Sequence, residues 1–232
     1  MKKLSMVFIM CLIFVSPLVN AKSYYTTSSY YKKLNYKTLL ESSVMISGTM
    51  MDNSCQNPNP LKYCSGSGVI VSYNSKTNKS IVLTNKHVAK RDYKNGCYPL
   101  IITNSNEVHQ GKVLKVSDTT DLAAIEVEGF INKPVDVSKK QTKLFDQVVN
   151  FSSSQCIQNV ISLGQIVSKD GNILGTPADT AYLGVDFGSS GSPVYNISGK
   201  LVGLIFSMTN IKIPIAHLVT LKDINAFLKE VR

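Results

Sequence analysis

Residues 184–195 form a stretch rich in glycine and serine, with the sequence Gly-Val-Asp-Phe-Gly-Ser-Ser-Gly-Ser-Pro-Val-Tyr. Ser190 is flanked by Gly188 and Gly191 and followed by Pro193, a composition typical of a tight turn whose backbone approaches a ligand closely. Such a turn can direct the backbone N–H groups of Gly188 and Ser190 at one point, where they would stabilise a negatively charged oxygen while the serine attacks. A polar loop between two strands is the alternative when the stretch is taken alone.

Short runs rich in β-branched residues surround this stretch and are separated by turn residues. In the first half of the chain they span residues 44–50, 68–73, 80–84, 98–103, 108–116 and 122–127. In the second half they span residues 147–151, 160–168, 180–185, 193–195, 201–208 and 211–216. Several short strands at such spacing, without an intervening helical period, predict an all-β chain whose sheets close into barrels or a sandwich.

A segment at residues 133–143 interrupts the strand pattern with a proline, several lysines and other polar residues, which predicts a linker. It divides the strands into an amino-terminal half, residues 44–132, and a carboxy-terminal half, residues 144–232. Apolar residues recur at helical spacing between Leu218 and Val231. We therefore expect a terminal amphipathic α-helix packed on the second half.

The amino terminus has the pattern of a secretory signal peptide over residues 1–21. It has a basic start, an uncharged apolar run from Leu4 to Val19, and small residues before Lys22. A membrane anchor is the alternative, but the apolar run is shorter than the ~20 residues that span a bilayer. We therefore expect a secreted or periplasmic protein without a stable membrane anchor, in which residues 22–43 form an arm on the surface.

Export would place the remaining cysteines, Cys55, Cys64, Cys97 and Cys156, in an oxidising compartment. Their even number predicts two disulfides. A bond between Cys55 and Cys64 is favoured because it closes a proline-containing loop, and this leaves Cys97 to pair with Cys156. A zinc site is the alternative, but no Cys-x-x-Cys or paired histidine spacing supports it, so no metal site is expected.

The chain is basic, with a formal net charge of +10. Nucleic-acid binding is one reading of such a charge. The lysines are scattered among asparagines and isoleucines, however, and only Arg91 and Arg232 supply a guanidinium group. Because no basic cluster interleaved with aromatic residues is present in the sequence, we expect a solvated basic surface and no nucleic-acid partner.

Two further residues with catalytic chemistry lie next to strand-like runs. His87 follows the run that ends at Thr84, and Asp121 precedes the apolar residues 122–125. Each alone is an ordinary surface or turn residue. Together with Ser190 they could activate the serine hydroxyl as a nucleophile. Imidazole can take the serine proton near neutral pH, and a carboxylate fixes the tautomer of that imidazole. The chain order His, Asp, Ser also differs from that of the α/β-hydrolases, which is Ser, acid, His.

Three segments carry a family resemblance: residues 84–88 (Thr-Asn-Lys-His-Val), 121–123 (Asp-Leu-Ala) and 188–193 (Gly-Ser-Ser-Gly-Ser-Pro). In order and spacing they resemble the signature segments of the trypsin-like serine proteases, most closely bacterial secreted HtrA-type and glutamyl endopeptidase-like members. The resemblance covers residues 44–228. It implies a chymotrypsin-like fold of two six-stranded antiparallel β-barrels that together form one peptidase domain, with the site between them.

The same resemblance implies a role for each residue of the motifs. His87 would be the general base, Asp121 the carboxylate that orients it, and Ser190 the nucleophile that forms an acyl-enzyme intermediate. The backbone N–H groups of Gly188 and Ser190 would form the oxyanion hole. The implied activity is endopeptidase cleavage of protein or peptide substrates without a metal or cofactor, and we expect a monomer.

Three residues depart from the family pattern. Ser189 stands where relatives have aspartate or asparagine, so activation through an aspartate salt bridge is not available. Ile205 stands where glutamyl endopeptidases have a histidine that binds the substrate carboxylate, so no glutamate preference is expected. Met208 stands where many relatives have glycine, which predicts a shallow pocket for a small or apolar residue. By alignment, the substrate pocket is expected to be lined by Gly184, Ile205, Phe206, Ser207 and Met208.

Two other functions remain open at this point. Ser189 and Met208 would also fit a protease-fold binding protein that has lost turnover, although the presence of His87, Asp121 and Ser190 argues against it. An acyl-ester hydrolase that uses the same three residues is the second alternative.

Overall fold

A computed structural model of the chain describes residue 31 and residues 34–50, 59–90, 100–104, 107–129, 131–173, 175–210 and 213–231. Six strands of the amino-terminal half close into an antiparallel barrel. They are β1 (Ser43–Met50), β2 (Asn59–Asn74), β3 (Lys79–Thr84), β4 (Leu100–Asn104), β5 (Glu107–Val116) and β6 (Ala123–Glu128). Neighbouring strands follow the order β1-β2-β3-β6-β5-β4, and pairing of β4 with β1 closes the barrel.

Six strands of the carboxy-terminal half form a second closed antiparallel barrel. They are β7 (Gln147–Ser152), β8 (Val160–Ile173), β9 (Thr176–Tyr182), β10 (Pro193–Asn196), β11 (Leu201–Asn210) and β12 (Ile213–Val219). Their order is β10-β11-β12-β9-β8-β7, and pairing of β10 with β7 closes the ring. The predicted all-β fold of two six-stranded antiparallel barrels is confirmed.

Each barrel is filled by aliphatic side chains that point inward. Val82 of β3 lies opposite Ile125 of β6, and both are fully buried. Burying one such side chain contributes about 1.5–3 kcal/mol. The core of the first barrel also includes Ile46, Ile70 and Ile102, and that of the second includes Val148, Ile166, Leu183, Val202 and Leu218. Because both sheets close on themselves, no barrel strand presents a free edge along its paired length.

Among the described residues, one short α-helix precedes the first barrel strand and another follows β3. Helix α1 (Tyr36–Ser42) lies within the arm predicted for residues 22–43. The side-chain oxygen of Asn35 caps it by accepting a hydrogen bond from the N–H of Thr38 over 3.3 Å. Helix α2 (Lys86–Lys90) follows β3 directly and carries His87.

The terminal helix predicted from the apolar spacing is α3 (Leu221–Val231). It begins at Leu221 rather than Leu218, because Leu218 still belongs to β12. The hydroxyl of Thr220 accepts a hydrogen bond from the N–H of Asp223 over 3.2 Å and caps the helix. Its buried face consists of Leu221, Ile224 and Phe227.

Strand β2 is the largest departure from the predicted strand bounds. It begins at Asn59 and not at Gly68, and Asn59 pairs with Met50 of β1. Residues 59–65 have no β-branched residue, so local propensity does not mark them as a strand. Pairing with β1 extends the strand instead, with two irregularities in register along the way.

Several predicted features lie outside the described residues, namely the signal peptide at residues 1–21 and the cysteines Cys55 and Cys97. Cys64 lies in β2, and its predicted bond with Cys55 stays a prediction. Cys156 is an exposed free thiol, so the predicted pairing with Cys97 is not formed in this structure. None of the described helices combines the length and the apolar character that spanning a bilayer requires.

Candidate active site

His87 and Asp121 come together at one end of the first barrel. His87 lies in the short helix after β3, and Asp121 lies just before β6. Thr84, the last residue of β3, is paired antiparallel with Ala123, the first residue of β6, so the segments beyond these strand ends are neighbours. Nδ1 of His87 lies 2.6 Å from Oδ2 of Asp121, and the backbone N–H of His87 donates to Oδ1 over 3.0 Å.

These two hydrogen bonds orient the imidazole ring of His87. Because a carboxylate only accepts hydrogen bonds, Nδ1 carries the hydrogen, and Nε2 of the neutral ring keeps its lone pair. The buried side-chain amide of Asn85 donates to the backbone carbonyl of Asp121 over 3.0 Å, which helps to fix the position of Asp121. The His87 side chain is 48% exposed and that of Asp121 is 21% exposed, so the ring reaches solvent while the carboxylate is mostly shielded.

Ser190 lies in the turn before β10, on the second barrel. A hydrogen bond from the N–H of Ser189 to the carbonyl of Asp186, 2.9 Å long, closes the turn. The carbonyl of Ser190 accepts a hydrogen bond from the N–H of Ser67 in β2 over 2.7 Å, which ties the turn to the first barrel. Ser190 and His87 line the same pocket. No direct hydrogen bond joins their side chains among the described residues.

Two glycines allow the Ser190 turn to pack closely against its surroundings. Gly188 has a φ of 90°, and a Cβ there would lie 2.3 Å from the carbonyl oxygen of Ser153. Gly191 has a φ of 84°, and a Cβ there would lie 2.1 Å from the carbonyl oxygen of Ser67. Both positions therefore require glycine, for its backbone conformation and for space.

The backbone around Gly188 leaves two hydrogen-bond donors close together. The carbonyl of Phe187 accepts a hydrogen bond from the N–H of Gln155 over 2.6 Å. In a trans peptide the carbonyl and the N–H point in opposite directions, so the N–H of Gly188 points away from Gln155. Within the described residues, neither this N–H nor that of Ser190 donates to another group of the protein. Both donors are thus available to a ligand.

Ser189, which departs from the family pattern, is buried and makes only neutral hydrogen bonds. Its hydroxyl lies 2.6 Å from the hydroxyl of Ser154, which in turn lies 2.8 Å from that of Ser152. It also accepts a hydrogen bond from the N–H of Asp186 over 3.1 Å. A chain of hydroxyl groups therefore anchors the turn at this position, without an ion pair.

The pocket at His87 and Ser190 has a volume of about 270 Å³. Of the residues predicted to line it, Ile205, Ser207 and Met208 do so. Gly184 and Phe206 are not among its lining residues. The carbonyl of Gly184 accepts a hydrogen bond from Ser162 of β8, and the ring of Phe206 packs on His217 at 6.4 Å between centroids. Val185 and Phe187, which the sequence prediction did not include, also line the pocket, as does Asp186.

Two other titratable groups lie near the pocket. A hydrogen bond from the Gln155 side chain, together with one from the Phe187 N–H, lowers the pKa of Asp186, so this exposed group carries a negative charge at neutral pH. Burial lowers the pKa of His217, which is 6% exposed and lies opposite Ser207 in the pairing of β11 with β12. His217 is therefore neutral, with Nε2 2.7 Å from the hydroxyl of Thr209.

Ser67 is a site residue that sequence reasoning missed. It contacts the Ser190 turn through both its backbone and its side chain. The signal that could have found it is the pair of glycines on either side, because glycine inside a strand often marks a close approach of another backbone. A Cβ at Gly66 would lie 2.7 Å from the carbonyl oxygen of Ser190.

The chain is similar to known peptidases in sequence and in fold. The sequence profile of the family described as a trypsin-like peptidase domain matches residues 66–204. Serine protease HTRA1 of Xenopus laevis is 27% identical over 150 residues, which cover 60% of this chain and 30% of that protein. The active form of the Rv3671c protease from M. tuberculosis has a TM-score of 0.64 at 17% identity and covers 99% of this chain and 94% of that one. The serine endoprotease from Yersinia pestis has a TM-score of 0.66 at 16% identity, and the match covers 85% of this chain and 66% of that one.

Two joined barrels, with a histidine–carboxylate pair and a serine turn facing one pocket, define the class of chymotrypsin-like serine peptidases. The chain belongs to the trypsin-like peptidase domain family, whose matched segment is more than half of the chain and includes His87, Asp121 and Ser190. The predicted resemblance to HtrA-type serine proteases is confirmed. The chain spans about 30% of the length of the HTRA1 relative.

Proposed function

We propose that this protein is a serine endopeptidase in which His87, Asp121 and Ser190 act as a catalytic triad. The observation that carries the proposal is the 2.6 Å contact between Nδ1 of His87 and Oδ2 of Asp121, with the same histidine lining one pocket with Ser190. This contact holds the tautomer in which Nε2 is the basic nitrogen.

The reaction begins when the hydroxyl of Ser190 attacks the carbonyl carbon of the scissile peptide bond. Nε2 of His87 takes the serine proton and then delivers it to the leaving amine, which produces an acyl-enzyme on Ser190. Water then attacks the ester carbon with His87 again as general base, and this step releases the carboxylic acid. The carboxylate of Asp121 stabilises the imidazolium that forms in each half of the reaction.

The N–H groups of Gly188 and Ser190 bind the oxyanion of the tetrahedral intermediate. Support comes from the hydrogen bond between Gln155 and the Phe187 carbonyl, because it turns the N–H of Gly188 the other way. It also comes from the absence, within the described part of the chain, of any protein acceptor for these two N–H groups. Losing one such donor costs about 2.7–4 kcal/mol of transition-state stabilisation in a serine protease.

The substrates are proteins or peptides with a small or apolar side chain before the scissile bond. Val185, Ile205 and Met208 give the pocket an apolar surface. Ile205 offers no hydrogen bond to a substrate carboxylate, and the negative charge of Asp186 opposes one, so glutamate is disfavoured. The basic start and the short apolar run within residues 1–21 support export, so the enzyme is either secreted or periplasmic. It acts as a monomer without a nucleic-acid partner.

A fluorophosphonate probe tests this proposal because it reacts with activated serine hydroxyl groups. The wild-type protein should be labelled and Ser190→Ala should not, whereas an unlabelled wild type would leave only a non-catalytic binding role. Digestion of a peptide library, analysed by mass spectrometry, then separates a peptidase from an ester hydrolase. Cleavage after small or apolar residues is expected, and intact peptides alongside ester turnover would contradict peptidase activity.

A further inference from the structure

Ser67 of β2 is a buried residue that links both barrels and that no step of the proposed reaction uses. Its side chain and backbone together are 1% exposed. Its backbone N–H donates to the carbonyl of Ser190 over 2.7 Å. Its backbone carbonyl accepts a hydrogen bond from the hydroxyl of Thr84, three residues before His87, also over 2.7 Å. The segment that carries the proposed nucleophile and the strand that leads to the proposed base therefore meet at one residue.

The side chain of Ser67 makes two further hydrogen bonds. Its hydroxyl donates to the carbonyl of Gly188 over 2.7 Å and accepts from the N–H of Ser153 over 2.8 Å. Gln155, two residues after Ser153, holds the Phe187 carbonyl on the other side of Gly188. Both peptide planes that flank Gly188 are thus anchored, the first by Gln155 and the second by Ser67 together with the N–H of Ser189, which donates to the carbonyl of Asp186.

We propose that Ser67 is a positioning residue that keeps the N–H of Gly188 directed at the oxyanion. This inference rests on the proposed function. Gly188 has no side chain to restrict the rotation of its two peptide planes, and its φ of 90° is accessible to glycine in several turn conformations. The hydrogen bond from Gln155 fixes the plane that contains this N–H, and the Ser67 hydroxyl restrains the next plane together with the Ser189 N–H. Without the Ser67 hydroxyl, the Gly188 carbonyl loses its partner and the turn gains freedom to rotate.

The perturbation is Ser67→Ala, which removes the hydroxyl and retains the backbone hydrogen bonds to Ser190 and Thr84. Ser80→Ala is the matched control. Ser80 is also fully buried in the first barrel, donates to a backbone carbonyl (that of Gly129, 2.7 Å) and accepts from a backbone N–H (that of Ile131, 3.3 Å). It lies near the start of β3, at the opposite end of the strand from His87.

The assay measures the second-order rate of fluorophosphonate labelling, kcat and KM for p-nitrophenyl acetate, and the melting temperature. For Ser67→Ala we expect labelling and kcat to fall about 10- to 100-fold, below the 100- to 1,000-fold loss seen when an oxyanion donor is removed outright. KM should stay within about twofold, because the hydroxyl acts on the transition state and not on ground-state binding. Ser80→Ala should lose thermal stability but keep kcat within about twofold of wild type.

The outcomes separate this inference from the function on which it rests. No labelling of wild type refutes the proposed function and the role of Ser67 with it. A labelled wild type with Ser67→Ala labelled at the same rate refutes the role of Ser67 alone. Equal losses of kcat in Ser67→Ala and Ser80→Ala also refute it, because they indicate a general loss of stability. If Ser67→Ala does not fold, Ser67→Cys has a thiol that is only a weak donor, and the same fall in labelling is expected.

Discussion

Replacing Gly188 by alanine should slow catalysis because it displaces the Ser190 turn. The new Cβ would lie 2.3 Å from the carbonyl oxygen of Ser153 and 3.3 Å from the backbone nitrogen of Gln155. Ordinary contacts begin near 3.4 Å, so the turn must move by about 1 Å. A displacement of about 1 Å at a catalytic group can reduce the rate about 100-fold, or roughly 2.7 kcal/mol of barrier.

The backbone cost of this substitution can be measured separately. An alanine held at positive φ lowers the free energy of unfolding by about 1–2 kcal/mol relative to a glycine at the same position. Gly199, in the turn between β10 and β11, has a φ of 73°, and the nearest atom to a Cβ there is 3.7 Å away. Gly199→Ala therefore carries the backbone cost without the clash and serves as the control.

The measurements for this prediction are urea denaturation and the rate of fluorophosphonate labelling for both variants. Both should lose about 1–2 kcal/mol of unfolding free energy from the backbone conformation, and Gly188→Ala should lose more because its Cβ clashes with the carbonyl oxygen of Ser153. Only Gly188→Ala should label about 100-fold more slowly. Labelling of Gly188→Ala at the wild-type rate would show that the turn does not need its present backbone path, and the assignment of the oxyanion hole would fail.

Three other predictions concern catalysis, a buried ion pair and pH. Asp121→Asn keeps the shape of the side chain but no longer holds the His87 tautomer, so kcat should fall about 10,000-fold with little change in melting temperature; a loss below tenfold would contradict the triad. Lys169 contacts Asp179, whose side chain is 3% exposed, so Lys169→Met should cost about 3–5 kcal/mol in urea denaturation. A loss under 1 kcal/mol would indicate that the carboxylate finds another partner. Because burial lowers the pKa of His217 from 6.5, the unfolded chain binds a proton that the native protein does not. The free energy of unfolding should therefore fall as the pH decreases below about 6.5, and His217→Gln should weaken this dependence; an unchanged pH profile would contradict it.

Much of the fold follows from local patterns in the sequence. Strands such as β3 and β6 have β-branched residues at alternating buried positions, so both their existence and their approximate bounds could be predicted. The first part of β2 could not, because residues 59–65 lack that pattern and are extended by pairing with β1. Pairing between strands determines the conformation of such segments, and local sequence patterns do not encode that pairing.

The candidate site, too, could be predicted only in part from the sequence. His87, Asp121 and Ser190 could be predicted because their motifs are contiguous in sequence and occur in a characteristic order. The pocket was predicted only in part. The pairing of β11 with β12 shifts register between Ile205 and Ser207, and Phe206 packs on His217 instead of lining the pocket. Contacts across the two barrels were missed because they depend on how distant backbones meet.

The most direct test of the account is mass spectrometry of the protein after fluorophosphonate treatment. The adduct should map to Ser190, and His87→Ala should slow its formation at least about 1,000-fold. His109→Gln, a change at a histidine in β5 that faces no part of the pocket, should leave the rate unchanged. An adduct on another serine, or equal labelling of wild type and His87→Ala, would contradict the claim that His87 activates Ser190.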